Sequence, residues 1–171
     1  MLTSQRIIDA INQQIGNEFS AMLQYTAIAA HFDSETLPEL AGFFKRQAEE
    51  EKAHAHRFIQ YVLDTGARVV LPGIPAPVNT FKFAEDAVKI SLEQEKTVTR
   101  QVNALVQIAK EESDYTSDAF LQWFVTEQLE EVASMEALLK IVQRAGEGNL
   151  LRVEDYLARK RGDLSGPSSA E

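Results

Sequence analysis

The chain has 171 residues, of which 44% are hydrophobic and 25% charged, with a net charge of −9 and no cysteine. That length allows one domain with a sizeable core, the missing thiol excludes disulfides, thiolate metal sites and thiol catalysis, and the acidic balance argues against a nucleic-acid binder. No apolar run is long enough to span a membrane, and the first residues lack the pattern of a secretory signal, so a cytoplasmic location is the expectation.

Apolar residues at alternating steps of three and four predict a first helix from about Ser4 to His31, capped by Thr3 or Ser4. Its stripe reads Ile8, Ile11, Ile15, Glu18, Met22, Tyr25, Ala29. A turn from Asp33 to Leu37 precedes Pro38, which suits the first turn of a second helix. That helix runs to about Asp64, with Gly66 as its stop. Its stripe reads Leu40, Phe44, Gln47, Glu51, His54, Phe58, Tyr61. Residues 67–82 hold three prolines and a β-branched run, and predict an extended connection. The third helix covers Ala84 to about Glu112, with the stripe Val88, Leu92, Glu95, Thr99, Val102, Val106. A turn over Ser113 to Thr116 leads to the fourth helix, capped by Thr116 or Ser117 and running to Ala145. Its stripe reads Leu121, Phe124, Gln128, Glu131, Met135, Leu138, Val142. Gly146 and Gly148 end it. A short fifth helix, about Leu150 to Lys160, closes a single domain over residues 1–161, and residues 162–171 read as a disordered tail.

The connection sets the topology. A helix of about 27 residues is roughly 40 Å long, and about 16 extended residues reach roughly 50 Å. The segment can therefore cross the whole bundle and start the third helix parallel to the second. The fold class is all-α: a four-helix bundle with one long crossover and a short fifth helix.

Each stripe is broken near its middle by a glutamate: Glu18, Glu51, Glu95 and Glu131. Midpoint residues meet at one level whichever way each helix points. An ionised carboxylate in a core costs several kcal/mol unless it is paired or bound to a cation. Four at one level repel one another, and two divalent ions would balance them. Glu51 and His54, three residues apart, share one helix face. Bundle di-iron proteins place one glutamate on each of two helices and Glu-x-x-His on the other two. Glu18, Glu95 and Glu51-x-x-His54 match three of these four elements, whereas the fourth helix departs with Gln128-x-x-Glu131.

With the stretches NEFSAMLQYTAIAAHFDSETLPELAGFF, QAEEEKAHA, LEQEKTVT, QWFVTEQLEEV and LPGIPAP, the chain resembles bacterial non-haem ferritins, particularly the actinobacterial kind, over about residues 4 to 160. The resemblance implies iron storage. It implies oxidation of Fe(II) to Fe(III) by O₂ or H₂O₂ at an intra-subunit di-iron centre, and a homo-oligomeric 24-subunit shell around ferric mineral. It implies one iron site on Glu18, Glu51 and His54, and a second on Glu51, Glu95 and Glu131 with Gln128 beside it. Tyr25 would hydrogen-bond within the centre and donate an electron. A third iron site would use Glu50, Glu127, Glu130 and Glu131. Asp118, with Glu111, Glu112 and Asp114 nearby, matches a channel position that attracts entering Fe(II). Trp123 is read as a packing residue, and His31 and His56 match no ligand position. Haem is not expected, because Lys52 stands where bacterioferritins place a methionine. A haem-free bacterioferritin-like protein, or another di-iron oxidase without mineral storage, is the alternative. A catalytically silent scaffold with a polar core layer is the remaining reading.

Overall fold

The structure is a computed structural model that describes residues 3–164. It contains α1 (Gln5–Ser34), α2 (Pro38–Asp64), α3 (Ala84–Glu111), α4 (Tyr115–Ala145) and α5 (Leu150–Leu164), with a 3₁₀ turn at Glu147–Asn149. α1 packs along α2, α3 along α4, and α1 against α3, while α5 rests on α2 and α4. No helix among the described residues is long and apolar enough to cross a membrane.

The four long helices enclose two apolar clusters. One joins Ala21–Phe32 of α1, Leu40–Ala48 of α2, Ala84–Leu92 of α3 and Met135–Val142 of α4. The other joins Ile7–Ile15, Ala55–Val62, Val98–Ala109 and Leu121–Phe124. The first halves of α1 and α4 thus share one end with the second halves of α2 and α3. The four mid-helix glutamates fall in the gap between the clusters.

The crossover traverses the bundle as its length requires. Two buried amides of α1 hold it by its backbone. Asn12 donates to the Arg68 carbonyl at 3.2 Å and accepts from the Val70 N–H at 3.1 Å. Gln24 does the same at Val78, with both contacts at 2.9 Å. The connection then reaches His31, whose ring meets Phe81 at 5.3 Å. It therefore runs from the beginning of α1 to its end and sets α3 parallel to α2. Gly16 lies beneath it, where an added Cβ would stand 2.3 Å from Pro72 Cγ. Gly16→Ala is expected to cost about 1–3 kcal/mol through forced displacement of the crossover, measured as a lower thermal midpoint. An unchanged midpoint would show that the crossover is not clamped there.

Several helix ends differ from expectation. α1 continues to Ser34 and stops at Thr36, with φ of 62°. The Thr36 and Leu37 N–H groups return to Asp33 and Phe32 carbonyls. α3 ends likewise at Ser113, with φ of 55°, and α2 at Gly66, with φ of 76°. One wrap-up motif thus closes three helices, but only one stop uses the glycine that marks it in a sequence. α4 starts earlier than expected, because Asp114 and not Thr116 or Ser117 caps it, accepting from the Ser117 N–H at 2.9 Å. Ser4 caps α1 as expected.

α5 runs to Leu164, beyond the expected Lys160. Residues 162–164 of the expected tail are thus helical, and residues 165–171 lie outside the described residues. α2 and α3 begin at the end where α5 sits, and neither N-cap residue, Leu37 or Phe83, supplies a side-chain acceptor. Glu154 of α5 fills that role for α2, accepting from the Glu39 and Leu40 N–H groups at 2.7 and 2.9 Å. Glu147 accepts from the Ala84 N–H at 2.8 Å at the start of α3. Such caps contribute about 1 kcal/mol each, and together with the buried Val153 they dock α5.

Candidate metal centre

Glu18, Glu51, Glu95 and Glu131 meet in one layer, and none is more than 4% exposed. The helical repeat turns each of them inward, in line with the buried residues of its helix. Among the described residues no lysine or arginine pairs with any of the four. The one nitrogen base present is His54, 4% exposed. Its Nδ1 stands 3.4 Å from Glu51 Oε2 and 3.8 Å from Glu18 Oε2. Its Nε2 stands 3.9 Å from Glu127 Oε1. The ring is held edge-on by Trp123 and Phe124, with centroids 5.5 and 5.9 Å away. Arg57 covers the exposed face of Trp123 at 4.1 Å.

Two compact groups result: Glu18, Glu51 and His54, and His54, Glu127 and Glu131, each with its ligand-type atoms within 4.8 Å of one another. The first is the triad expected for one iron site. The second joins a residue expected at the bundle centre with one expected at the third site. Glu95 lies in the same layer, but its oxygens do not close into such a group with Glu51 and Glu131. One accepts from the Tyr25 hydroxyl and the other from Gln128 Nε2 at 3.1 Å. A carboxylate facing three others lowers its energy by turning to whatever donors exist, and these are the two available. Tyr25 thus bonds within the layer, and Gln128 touches Glu95 as a donor.

Both oxygens of Glu51, Oε2 of Glu18 and Nδ1 of His54 are buried without a hydrogen-bond partner. Oε1 of Glu18 accepts from Gln14 at 2.7 Å. Without a cation such a layer must hold protons. Burial pushes the Glu51 carboxyl well above the usual range, and the Glu18 and Glu95 charges add to it. Burial and the Glu95 and Glu50 charges raise Glu131 to about 9. Glu95 is also raised by burial, although its bonds from Tyr25 and Gln128 oppose the rise. Burial and the neighbouring carboxylates keep the Tyr25 phenol protonated, so it donates. Orphaned acceptors grouped within one buried layer fit a hard or borderline divalent cation held by oxygen and one imidazole.

Toward α5 the layer opens into a pocket of about 580 Å³ that Glu50, Glu127, Glu130 and Glu131 line together. The expected third-site residues are thus brought to one place. At the other end of the bundle the expected channel acids are already engaged. Arg6 pairs with Glu111 at 2.8 Å, and Asp118 accepts from Gln122 at 2.8 Å. His56 is exposed and meets only Phe19 edge-on, while half-buried His31 packs on Phe32 and Phe81. Sequence reasoning passed over Gln14, Gln47 and Ser91. A signal for them existed: each centre glutamate carries a polar residue one turn before it, as Gln14, Gln47, Ser91 and Gln128.

A four-helix bundle with one crossover, a fifth helix and a buried carboxylate–histidine layer defines the ferritin-like class of helical proteins. The ferritin-like domain family matches residues 8–145, and the chain belongs to that family. It is 46% identical over 150 residues to ferritin BfrB of Mycolicibacterium smegmatis, covering 88% of this chain and 82% of that protein. It is 36% identical over 146 residues to a bacterial non-heme ferritin of Staphylococcus aureus, covering 85% and 88%. An open-pore ferritin of Archaeoglobus fulgidus superposes with a TM-score of 0.88 at 31% identity, over 91% of this chain and 96% of that one.

Proposed function

We propose that this chain is an iron-storage ferritin with ferroxidase activity, which takes Fe(II) as substrate at the bundle centre and stores the ferric product inside a homo-oligomeric, 24-subunit cytoplasmic shell. The observation that carries this reading is the carboxylate layer: four buried glutamates that no lysine or arginine among the described residues pairs with, of which Glu51 has both oxygens and Glu18 one oxygen without a hydrogen-bond partner. Glu18, Glu51 and His54 hold one Fe(II). Glu51, Glu95 and Glu131 hold the second, with Gln128 beside them, and Glu50, Glu127, Glu130 and Glu131 offer a third position toward the pocket.

Two Fe(II) ions held side by side give O₂ or H₂O₂ two electrons together. This chain's residues supply proximity and charge balance. Glu51 and Glu131 release their protons as the ions arrive, and the buried layer keeps bulk water out. Tyr25, whose hydroxyl lies against Glu95, is placed to give a further electron and proton. Gln128 is a weaker partner than the histidine of a symmetric site, which suits an ion that must leave after oxidation. The exposed apolar residues Val70, Leu71, Ile74 and Val78 of the crossover supply a surface for a second copy. Lys52, where a haem-binding methionine would stand, is exposed and pairs with Glu49 at 3.4 Å, so the reading is haem-free.

The test is to load metal-free protein with Fe(II) in air and measure the iron that co-elutes with it from a sizing column. Many tens of ions per subunit in a particle of several hundred kilodaltons is the expected result. Two or three per subunit would replace storage with a di-iron oxidase of another kind. No bound iron would overturn both and leave a structural bundle.

A further inference from the structure

A hydrogen-bonded chain on α1 runs from the surface to the carboxylate layer. Gln14 is buried one turn before Glu18, and its Nε2 donates to Glu18 Oε1 at 2.7 Å. Its own Oε1 accepts from Asn17 Nδ2 at 3.0 Å. Positions i, i+3 and i+4 share one helix face, so α1 alone supplies all three groups. The carboxylate decides how both amides point. It only accepts when ionised, so Gln14 presents Nε2 to it, and that turns Gln14 Oε1 to the Asn17 donor. Asn17 is half-buried and lines a pocket between α1 and α3 with Ser20, Gln94 and Gln101.

The effect of the chain shows in which oxygens of the layer are left free. Glu51 has both without a partner, as a bridge between two ions needs. Glu95 has both engaged, by Tyr25 and Gln128. Glu18 has one of each: Oε1 is held by Gln14, and Oε2 is without a partner, 3.8 Å from His54 Nδ1.

We propose that Gln14, oriented by Asn17, is a positioning residue: it ties down Oε1 of Glu18 and so presents that carboxylate to Fe(II) through Oε2 alone. The proposal rests on the ferroxidase reading and adds to it how the first site is shaped. With one oxygen each from Glu18 and Glu51 and one nitrogen from His54, the ion keeps its remaining positions open to the oxidant. A chelating Glu18 would fill one of them. Chelation requires the carboxylate to rotate, and the short amide bond opposes that rotation. Because all three groups stand on one helix, the restraint is in place before any ion arrives.

The experiment is an anaerobic titration of metal-free protein with Co(II), followed by calorimetry and by the visible absorption of the bound ion. Co(II) does not oxidise under these conditions, so binding is read apart from turnover. The class of sites lost on His54→Ala marks the first site. Gln14→Leu keeps the volume and removes both polar atoms. Loss of the fixed orientation should weaken the first site about tenfold, the scale on which outer groups act at metal sites. The freed Oε1 then turns to the ion, which raises its coordination number and lowers the intensity of its visible band. Asn17→Ala breaks the chain at its surface end and serves as the independent variant if Gln14→Leu folds poorly. It should weaken the same site about threefold, as one lost hydrogen bond does, and add nothing in the Gln14→Leu background. An unchanged site and band in both single variants, or losses that add in the double variant, would overturn the role of Gln14 and leave the ferroxidase reading standing. No Co(II) bound by wild type would overturn both.

Discussion

Glu51→Gln is expected to raise the melting temperature of the metal-free protein and to abolish rapid Fe(II) oxidation. The two effects have one cause. In the folded chain both Glu51 oxygens lack a donor, and burial with the Glu18 and Glu95 charges holds its carboxyl neutral. In the unfolded chain at neutral pH the same carboxyl ionises freely. Folding must therefore pick up a proton, and glutamine removes that requirement at almost the same volume. That proton uptake costs about 1.4 kcal/mol for each pH unit above the ordinary carboxylate value, and in a chain of this size each kcal/mol moves the midpoint by about 2–4 °C. The gain comes at the expense of metal binding, because the amide cannot bridge two ions as a carboxylate does. Oxidation followed by stopped-flow absorbance should slow by about 100-fold or more. A lowered melting temperature, or unimpaired oxidation, would remove Glu51 from the centre.

The metal-free protein is further expected to lose stability as pH rises from about 5 to 9. The sign follows from the raised carboxyls. Glu131 has an ordinary value of 4.5 and a folded value of about 9. Between these values the folded chain binds more protons than the unfolded one. Stability is then fully present below the ordinary value and falls through the window, by at most about 1.4 kcal/mol per pH unit for each such proton. Glu51 and Glu95 are raised in the same direction and add to the slope. A bound divalent ion replaces those protons, so the stabilisation by Zn(II) should grow with pH over the same window. Thermal midpoints measured across that range, with chelator and with Zn(II), decide the matter. A flat profile with chelator would mean that the layer does not hold protons in place of metal.

Both expectations rest on residues that the chain announces. Burial along a helix is nearly a one-dimensional property: position modulo 3.6 decides which side faces the core. Glu18, Glu51, Glu95 and Glu131 stand out because each occupies a core position that an apolar residue would fill. The length of the crossover similarly limits where α3 can begin. Helix ends were harder to read. Thr36 and Ser113 take the left-handed conformation without being glycine, and a β-branched residue there costs about 1–2 kcal/mol, which the surrounding packing must supply. The caps that Glu154 and Glu147 give to α2 and α3 come from more than 60 residues away. Nothing local to Leu37 or Phe83 foretells them.

The order of the helices, the inward stripes and the height of the acidic layer were determined by the sequence alone, because periodicity and chain length are written along it. Only the tertiary structure decided who meets whom inside the layer. Tyr25 and Gln128 take the oxygens of Glu95, His54 turns one nitrogen to Glu51 and the other toward Glu127, and Gln47 bonds Glu50 while its oxygen stays free. These choices depend on side-chain rotamers and on sub-ångström spacing between four helices. Residues remote in the chain fix them jointly, by competing for the few donors that a buried layer contains.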